Sequence, residues 1–309
     1  MALTPFFITG ITDAEGSFSA SVSRNPSARL GYSLSLRFNI TMHLRDSLLI
    51  KSIRKFFNNI GLYKESGSFC YFDVNSTADL KIIIEHFLNY PLLSSKRNAF
   101  YIFKLIYDIL KSKQHLNPKV FILVLSYINI LSKPIKREIL SEITSKFGPL
   151  PDLITCPVVN FSPKINLLNK PWWIAGFVCG EGSFTYYKAK KISALGLIKT
   201  NIQMGFECSQ QTTDYYLLKK IWDYFGVGQI YTDKKVSRIR ITQLVQLQHV
   251  IIPFFSKYSI YGFKQTQYNV WLESVTVLIS EPYGIERTVK LMALTEKLTS
   301  LSLTASKGD

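Results

Sequence analysis

At 309 residues the chain has room for two average domains or one domain built twice, and it can bury enough surface to fold without disulfide staples. With 47% apolar and 14% aromatic residues against 16 Gly and 12 Pro it is a globular sequence, which excludes the collagen-like, disordered and linker-dominated classes. The 37 Lys and Arg against 21 Asp and Glu leave a net charge of +16, the balance of proteins that meet phosphate, which keeps ribosomal, membrane-surface and nuclease functions in play.

The excess is no basic tail: residues 1–150 hold 19 basic and 10 acidic side chains, and residues 151–309 hold 18 and 11. The first element, Ile8 to Gly16 (ITGITDAEG), reads as the end of a helix. Gly10 and Ala14 lie one turn apart and let a second helix backbone come close. Gly16 stops the helix where a residue without a side chain costs least, leaving Glu15 at its end. Ser33 to Met42 alternates strictly, with Leu34, Leu36, Phe38, Ile40 and Met42 on one face and Ser33, Ser35, Arg37, Asn39 and Thr41 on the other, which predicts a half-buried strand whose polar face carries no carboxylate.

An amphipathic helix follows, with Leu48, Leu49, Ile53, Phe56 and Phe57 on its apolar side. Ser68 to Asn75 then sets Tyr71, Asp73 and Asn75 opposite Cys70, Phe72 and Val74. Helical lengths run from Leu80 to Leu88, Ala99 to Lys111, Pro118 to Leu131 with Asn117 as its cap, and Ile135 to Phe147. From Gly148 to Pro171 the prolines at 149, 151, 157, 163 and 171 break the period, which predicts a linker over 148–170 between units 1–147 and 171–309.

Beyond the linker the chain starts again. Gly176 to Phe184 (GFVCGEGSF) copies Gly10 to Phe18 (GITDAEGSF) at an offset of 166, and Ala175, Gly176 and Gly180 repeat the small residues. Phe206 to Asp214 (FECSQQTTD) parallels Phe38 to Asp46 (FNITMHLRD) at 168, as does Tyr258 to Lys264 with Tyr90 to Lys96. A second amphipathic helix carries Leu217, Leu218, Ile221, Trp222 and Phe225. Lys199, Asn201 and Gln203 alternate with Thr200, Ile202 and Met204, and Arg238, Arg240 and Thr242 with Ile239 and Ile241, so each half carries an antiparallel sheet with an open basic and amide-rich face. Lys188 and Lys190 lie beside that face, and helices from Tyr268 to Ile279 and from Glu286 to Leu301 close the chain.

Cys70, Cys156, Cys179 and Cys208 are far apart and form neither a disulfide framework nor a zinc site, and the four histidines have no ligand spacing. No apolar run is long enough to span a bilayer, and the N-terminus lacks the basic start of a signal peptide. Glu15 and Glu181, at helix ends packed side by side, would bring two carboxylates together at the negative ends of two dipoles. A divalent cation offsets this, and hard oxygen donors suit Mg²⁺. Arg, Lys, Asn and Gln on the open faces are the side chains that pair with guanine and adenine edges.

These residues resemble the LAGLIDADG homing endonucleases, in the single-chain, two-motif branch found in introns of fungal mitochondrial genomes. The resemblance covers nearly the whole chain. It implies an α+β fold of two pseudo-symmetric αββαββα-type halves packed on paired motif helices, with sheets forming a saddle on double-stranded DNA. It implies that Glu15 and Glu181, with the carbonyls of Ala14 and Gly180, bind two or more Mg²⁺ ions, and that Lys96 and Lys264 assist the phosphate chemistry. DNA contacts are expected at Ser35, Arg37, Asn39, Thr41, Tyr71, Asp73, Lys188, Lys190, Lys199, Asn201, Gln203, Arg238 and Arg240. The expected activity is double-strand cleavage of a long, imperfectly symmetric target by a mitochondrial monomer, leaving short 3′ overhangs. Cys179 departs from the motif where the first copy has Asp13, and that position is expected to pack or cap rather than bind metal. The rival functions are an RNA-binding intron maturase and a catalytically silent DNA-binding protein.

Overall fold

The computed structural model describes residues 3–131, 134–151, 166–192 and 198–306. Helix α1 (Pro5–Glu15) opens with proline in its first turn, and Thr4 caps it by accepting the Phe7 N–H at 3.3 Å. The chain continues through β1 (Gly16–Arg24), β2 (Tyr32–His43), α2 (Ser47–Phe56), β3 (Leu62–Ser66) and β4 (Phe69–Val74). Four helices complete the first half: α3 (Thr77–Asn89), α4 (Lys96–Lys111), α5 (Pro118–Leu131) and α6 (Arg137–Phe147). The second half repeats the order with α7 (Pro171–Glu181), β5 (Gly182–Ile192), β6 (Ile198–Gln211), α8 (Tyr215–Phe225), β7 (Gln229–Thr232) and β8 (Val236–Ile241). One interrupted helix follows, α9 (Leu244–Gln246) and α10 (Ile252–Lys257) joined by a π turn over Leu247–Ile251, and then α11 (Phe263–Ser280) and α12 (Ile285–Ser306).

The two sheets have the same topology, β1-β2-β4-β3 and β5-β6-β8-β7, antiparallel throughout. The predicted period-two strand is observed: Leu36, Phe38, Ile40 and Met42 of β2 are buried while Ser35 and Arg37 are exposed. The offset change from 166 to 168 lies in the first hairpin, because Gly16 pairs with Ile40, 24 residues on, whereas Gly182 pairs with Cys208, 26 residues on.

Helices cover one face of each sheet, and the aromatic core between them is itself repeated. Phe18 meets Phe87, Phe100 and Phe103 at 5.6, 5.6 and 5.3 Å between ring centroids, and Phe184 meets Phe255, Tyr268 and Trp271 at 5.4, 5.0 and 5.2 Å. Each of those partners is offset by 168, so the repeat extends from the motifs to the packing of large rings in the interior. Such ring pairs add about 0.5–1.5 kcal/mol each beyond their buried area.

Several helices begin earlier than the periodicity predicts. α4 starts at Lys96 and α11 at Phe263, which places both lysines in a first helical turn rather than in the loop before it. The helix over residues 244–257 was not foreseen, because Pro253 lacks the N–H that an interior position needs; the π turn widens the helix just before it, so that Pro253 falls in the first turn of α10. Most of the predicted linker, residues 152–165 with Cys156, lies outside the described residues. Cys70, Cys179 and Cys208 are buried free thiols. Among the described residues no helix is long and apolar enough to cross a membrane.

Candidate active site

α1 and α7 cross at the glycines that the motif supplies. A Cβ added to Gly10 would stand 2.1 Å from the Trp173 carbonyl oxygen, and one added to Gly176 would stand 2.1 Å from that of Phe7. Residues 7 and 173, like 10 and 176, are one motif offset apart, so the contact is reciprocal about a pseudo-twofold axis. Phe7, Ile8, Ile11, Trp173, Ile174 and Phe177 fill the seam and are fully buried. Gly16 and Gly182 end these helices for reasons of space and not of handedness. Both are extended, with φ −80° and −84°, and an added Cβ would meet Thr12 or Val178 at 2.4 Å.

The seam delivers Glu15 and Glu181 to neighbouring helix ends. Glu15 Oε1 lies over the backbone of Gly180, 2.7 Å from where a Cβ would stand, with the Ala14 Cβ at 2.6 Å from the same point. Burial pushes Glu181 up to about 7, the like charge of Glu15 adds to the rise, and Lys96 and Lys264 oppose it. Burial also raises Glu15, against the pull of Lys96 and Lys264. Lys96 donates from Nζ to the carbonyls of Ala14 at 2.7 Å and Thr12 at 3.3 Å, and Lys264 donates to Gly182 at 2.7 Å. Burial lowers the pKa of both lysines, while Glu15 raises it in each. The four residues expected to act together thus form one cluster of two acids and two bases in which both lysines act on both glutamates.

A donor set of two carboxylates with the carbonyls of Ala14 and Gly180 is all oxygen and fits Mg²⁺, which takes one or two protein carboxylates and leaves its other positions to water and phosphate. Lys96 shares the Ala14 carbonyl. Among the described residues no three or more His, Cys, Asp or Glu form a cage for a metal.

Asp13 and Cys179 take the structural role expected of them. Asp13 is fully buried and accepts from Leu93 N at 2.9 Å, Ser94 N at 3.1 Å, Ser94 Oγ at 2.5 Å and Trp173 Nε1 at 2.7 Å. Cys179 pairs with the Tyr261 backbone, its Sγ accepting from N at 3.5 Å and lying 3.7 Å from O. Two further carboxylates, singled out in the sequence only as matching ends of the repeat, serve the opposite half. Asp46 Oδ1 accepts the Phe263 N–H at 2.6 Å at the start of α11. Asp214 accepts Ser95 N at 3.0 Å and Ser95 Oγ at 2.8 Å at the start of α4.

The open sheet faces hold most of the predicted DNA-contacting residues, with one correction of chemistry. Asp73 is 4% exposed, and its carboxylate is occupied by Arg37 at 2.6 and 3.0 Å and by Lys64 at 2.8 Å. Burial would raise its pKa, but those hydrogen bonds outweigh it and hold Asp73 below the usual carboxylate range. It therefore fixes Arg37 and Lys64 rather than meeting a base itself. Glu207 does the same in the second half, bonded to Arg240 Nε and Tyr187 Oη. Asp73 is among the expected DNA contacts and Glu207 is not; both preset the arginines. Asn39 donates to Thr41 at 2.9 Å and Gln203 to the Thr242 carbonyl at 3.3 Å. Ser35, Lys188, Asn201 and Gln203 are exposed, and Thr41, Tyr71 and Arg238 are half-buried. Lys190 and Lys199 fall in β5 and β6, and their side chains lie outside the described residues. Lys64 and Tyr187 were missed; the cue for Glu207 was its place opposite Arg240 in adjacent strands.

A family profile described as LAGLIDADG endonuclease matches residues 8–107 and again 174–275. A probable intron-encoded endonuclease 3 of Neurospora crassa is 29% identical over 287 residues, and a probable intron-encoded endonuclease 2 of the same fungus is 30% identical over 294. Each alignment covers 92% of this chain but 52% and 62% of those relatives, so the chain spans little more than half their length. The crystal structure of the I-SmaMI LAGLIDADG homing endonuclease bound to cleaved DNA is similar at a TM-score of 0.82 and 28% identity, covering 95% of this chain and 96% of that one. The paired motif helices and repeated sheets of this chain agree with the twice-matched profile, and the chain belongs to the LAGLIDADG endonuclease family.

Proposed function

We propose that the protein is a sequence-specific double-strand DNA endonuclease that hydrolyses phosphodiesters with Mg²⁺ and leaves short 3′ overhangs. The observation that carries this reading is the meeting of Glu15 and Glu181 across the α1–α7 seam, flanked by Lys96 and Lys264. Bound Mg²⁺ would supply an activated water and neutralise charge on the leaving oxygen. Glu15 and Glu181 hold the ions as carboxylates, and the lysines, already in contact with the motif backbone, offset charge that develops on the phosphate. Arg37, Asn39, Gln203, Arg238 and Arg240 face the major groove of a long pseudo-palindromic site. Two halves on one chain supply both cutting centres, so the protein works as a monomer; its relatives' names support an intron-encoded enzyme, and the family resemblance points to mitochondria as its place of action.

An intron maturase or a silent DNA-binding protein would need the basic surface but not the glutamate pair. The experiment is cleavage of a duplex recovered by selection from a randomised library. Glu15→Gln or Glu181→Gln abolishes cutting of both strands while binding persists, and continued cutting by the double variant overturns the assignment.

A further inference from the structure

We propose that Asp46 and Asp214 are reciprocal positioning residues: each half of the protein sets the catalytic lysine of the other. The inference rests on the reading of Lys96 and Lys264 given above. Each lysine stands in the first turn of a helix, directly after a residue whose backbone N–H is bound by an aspartate from the opposite half. Phe263, before Lys264, donates to Asp46 at 2.6 Å; Ser95, before Lys96, donates to Asp214 at 3.0 Å and adds its hydroxyl at 2.8 Å. Both pairs obey the 168-residue offset, and both aspartates are buried, at 7% and 5% exposure.

The surroundings support the same role. The Arg45 guanidinium stacks 3.9 Å over the Phe263 ring and lies 3.9 Å from Asp46, so that neighbouring residues grip Phe263 from two sides. Gly262 makes room, since a Cβ there would stand 2.3 Å from Asp46 Oδ1. In the other half Tyr216 Oη donates to the Leu93 carbonyl at 3.0 Å, a second strut from α8 to the loop ahead of Lys96. The helix start beneath each lysine is thus completed by the other half, which ties both cuts to one assembled seam.

The two sides are not equally braced. The loop ahead of Lys96 is also held from within its own half by the Asp13 carboxylate, through Leu93 and Ser94, whereas the matching position in the other half, Cys179, offers the loop ahead of Lys264 a thiol contact at 3.5 Å. Lys264 therefore depends on Asp46 more than Lys96 depends on Asp214.

The test is single-turnover cleavage of the selected duplex, labelled on each strand in turn, with DNA affinity and Tm measured in parallel. Asp46→Ala should slow cleavage on the order of tenfold to a hundredfold, as loss of orientation does, and Asp214→Ala by only a few-fold. DNA affinity stays unchanged, and Asp46→Asn, which keeps an acceptor oxygen, restores most of the rate. Asp46→Ala should add nothing to Lys264→Ala yet multiply the defect of Lys96→Ala. A purely structural role would lower the amplitude of cleavage and not its rate constant, and that result overturns the inference. It is likewise overturned, with the lysine assignment intact, if Lys264→Ala is slow and Asp46→Ala multiplies it as fully as it multiplies Lys96→Ala. Normal rates in both lysine variants would overturn the lysine reading itself and the inference with it.

Discussion

Replacing Gly176 with alanine should break the seam that holds the site together. The new Cβ would stand 2.1 Å from the Phe7 carbonyl oxygen, 2.9 Å from its carbon and 3.0 Å from Ile11 N, all backbone atoms, so no rotamer change relieves the clash. The helices must separate by about 1 Å, which also opens the packing of the fully buried Trp173, Phe177 and Ile11. Overpacking of a tight core costs about 1–3 kcal/mol, and a backbone contact with no flexible partner belongs near 3 kcal/mol. At roughly 2–4 °C per kcal/mol the melting temperature should fall by about 6–12 °C. Gly284 is the control: an added Cβ there meets nothing within 4 Å, and Gly284→Ala should melt with the parent. Thermal unfolding by circular dichroism compares the two. Well below the melting point, Gly176→Ala should also cut the selected duplex more slowly, because Glu15 and Glu181 ride on the separating helices. If Gly176→Ala melts with Gly284→Ala, the close approach of α1 and α7 is wrong.

Glu181 gives a pH test whose sign follows from its raised pKa. The folded state keeps a proton that the unfolded chain releases near 4.5, so this residue lowers stability as pH rises from there to about 7. Glu181→Gln should therefore stabilise the protein without Mg²⁺ at pH 8, by on the order of 3 kcal/mol, and do nothing at pH 4; denaturation at the two pH values checks it, and added Mg²⁺ should recover stability in the parent alone. Asp13→Ala leaves two backbone N–H groups, a hydroxyl and an indole N–H without their acceptor, and should cost about 3 kcal/mol in urea unfolding, against about 1 kcal/mol for Cys179→Ala, whose contacts are weak. Asp73→Asn should loosen Arg37 and Lys64 and relax base preference at a few neighbouring target positions, read by repeating the selection, with the rest of the preferred site unchanged. Affinity for the duplex should fall linearly with log salt, and a flat response would remove phosphate from the basic faces.

The site was legible where local chemistry repeats. Gly10 and Gly176, Glu15 and Glu181, and Lys96 and Lys264 recur in one register, and a duplicated helix end carries its partner's position with it. β2 was legible because burial of one face imposes a period of two on the side chains. What escaped depended on contacts across the fold. Nothing near Asp46 in the chain says that its carboxylate reaches Phe263, more than two hundred residues away. The pairing of Arg37 with Asp73 needs the β2–β4 register, and the helix around Pro253 needs a π turn that no propensity encodes. Alternation finds the face that a side chain occupies; only the packed structure shows which partner already holds it.

The direct measurement of the central claim is anomalous diffraction from crystals of the protein with its selected, uncleaved duplex and Mn²⁺ in place of Mg²⁺. The account predicts anomalous density between α1 and α7, within about 2.5 Å of carboxylate oxygens from both Glu15 and Glu181. Ions bound elsewhere on the duplex, with that space left to water, would contradict it.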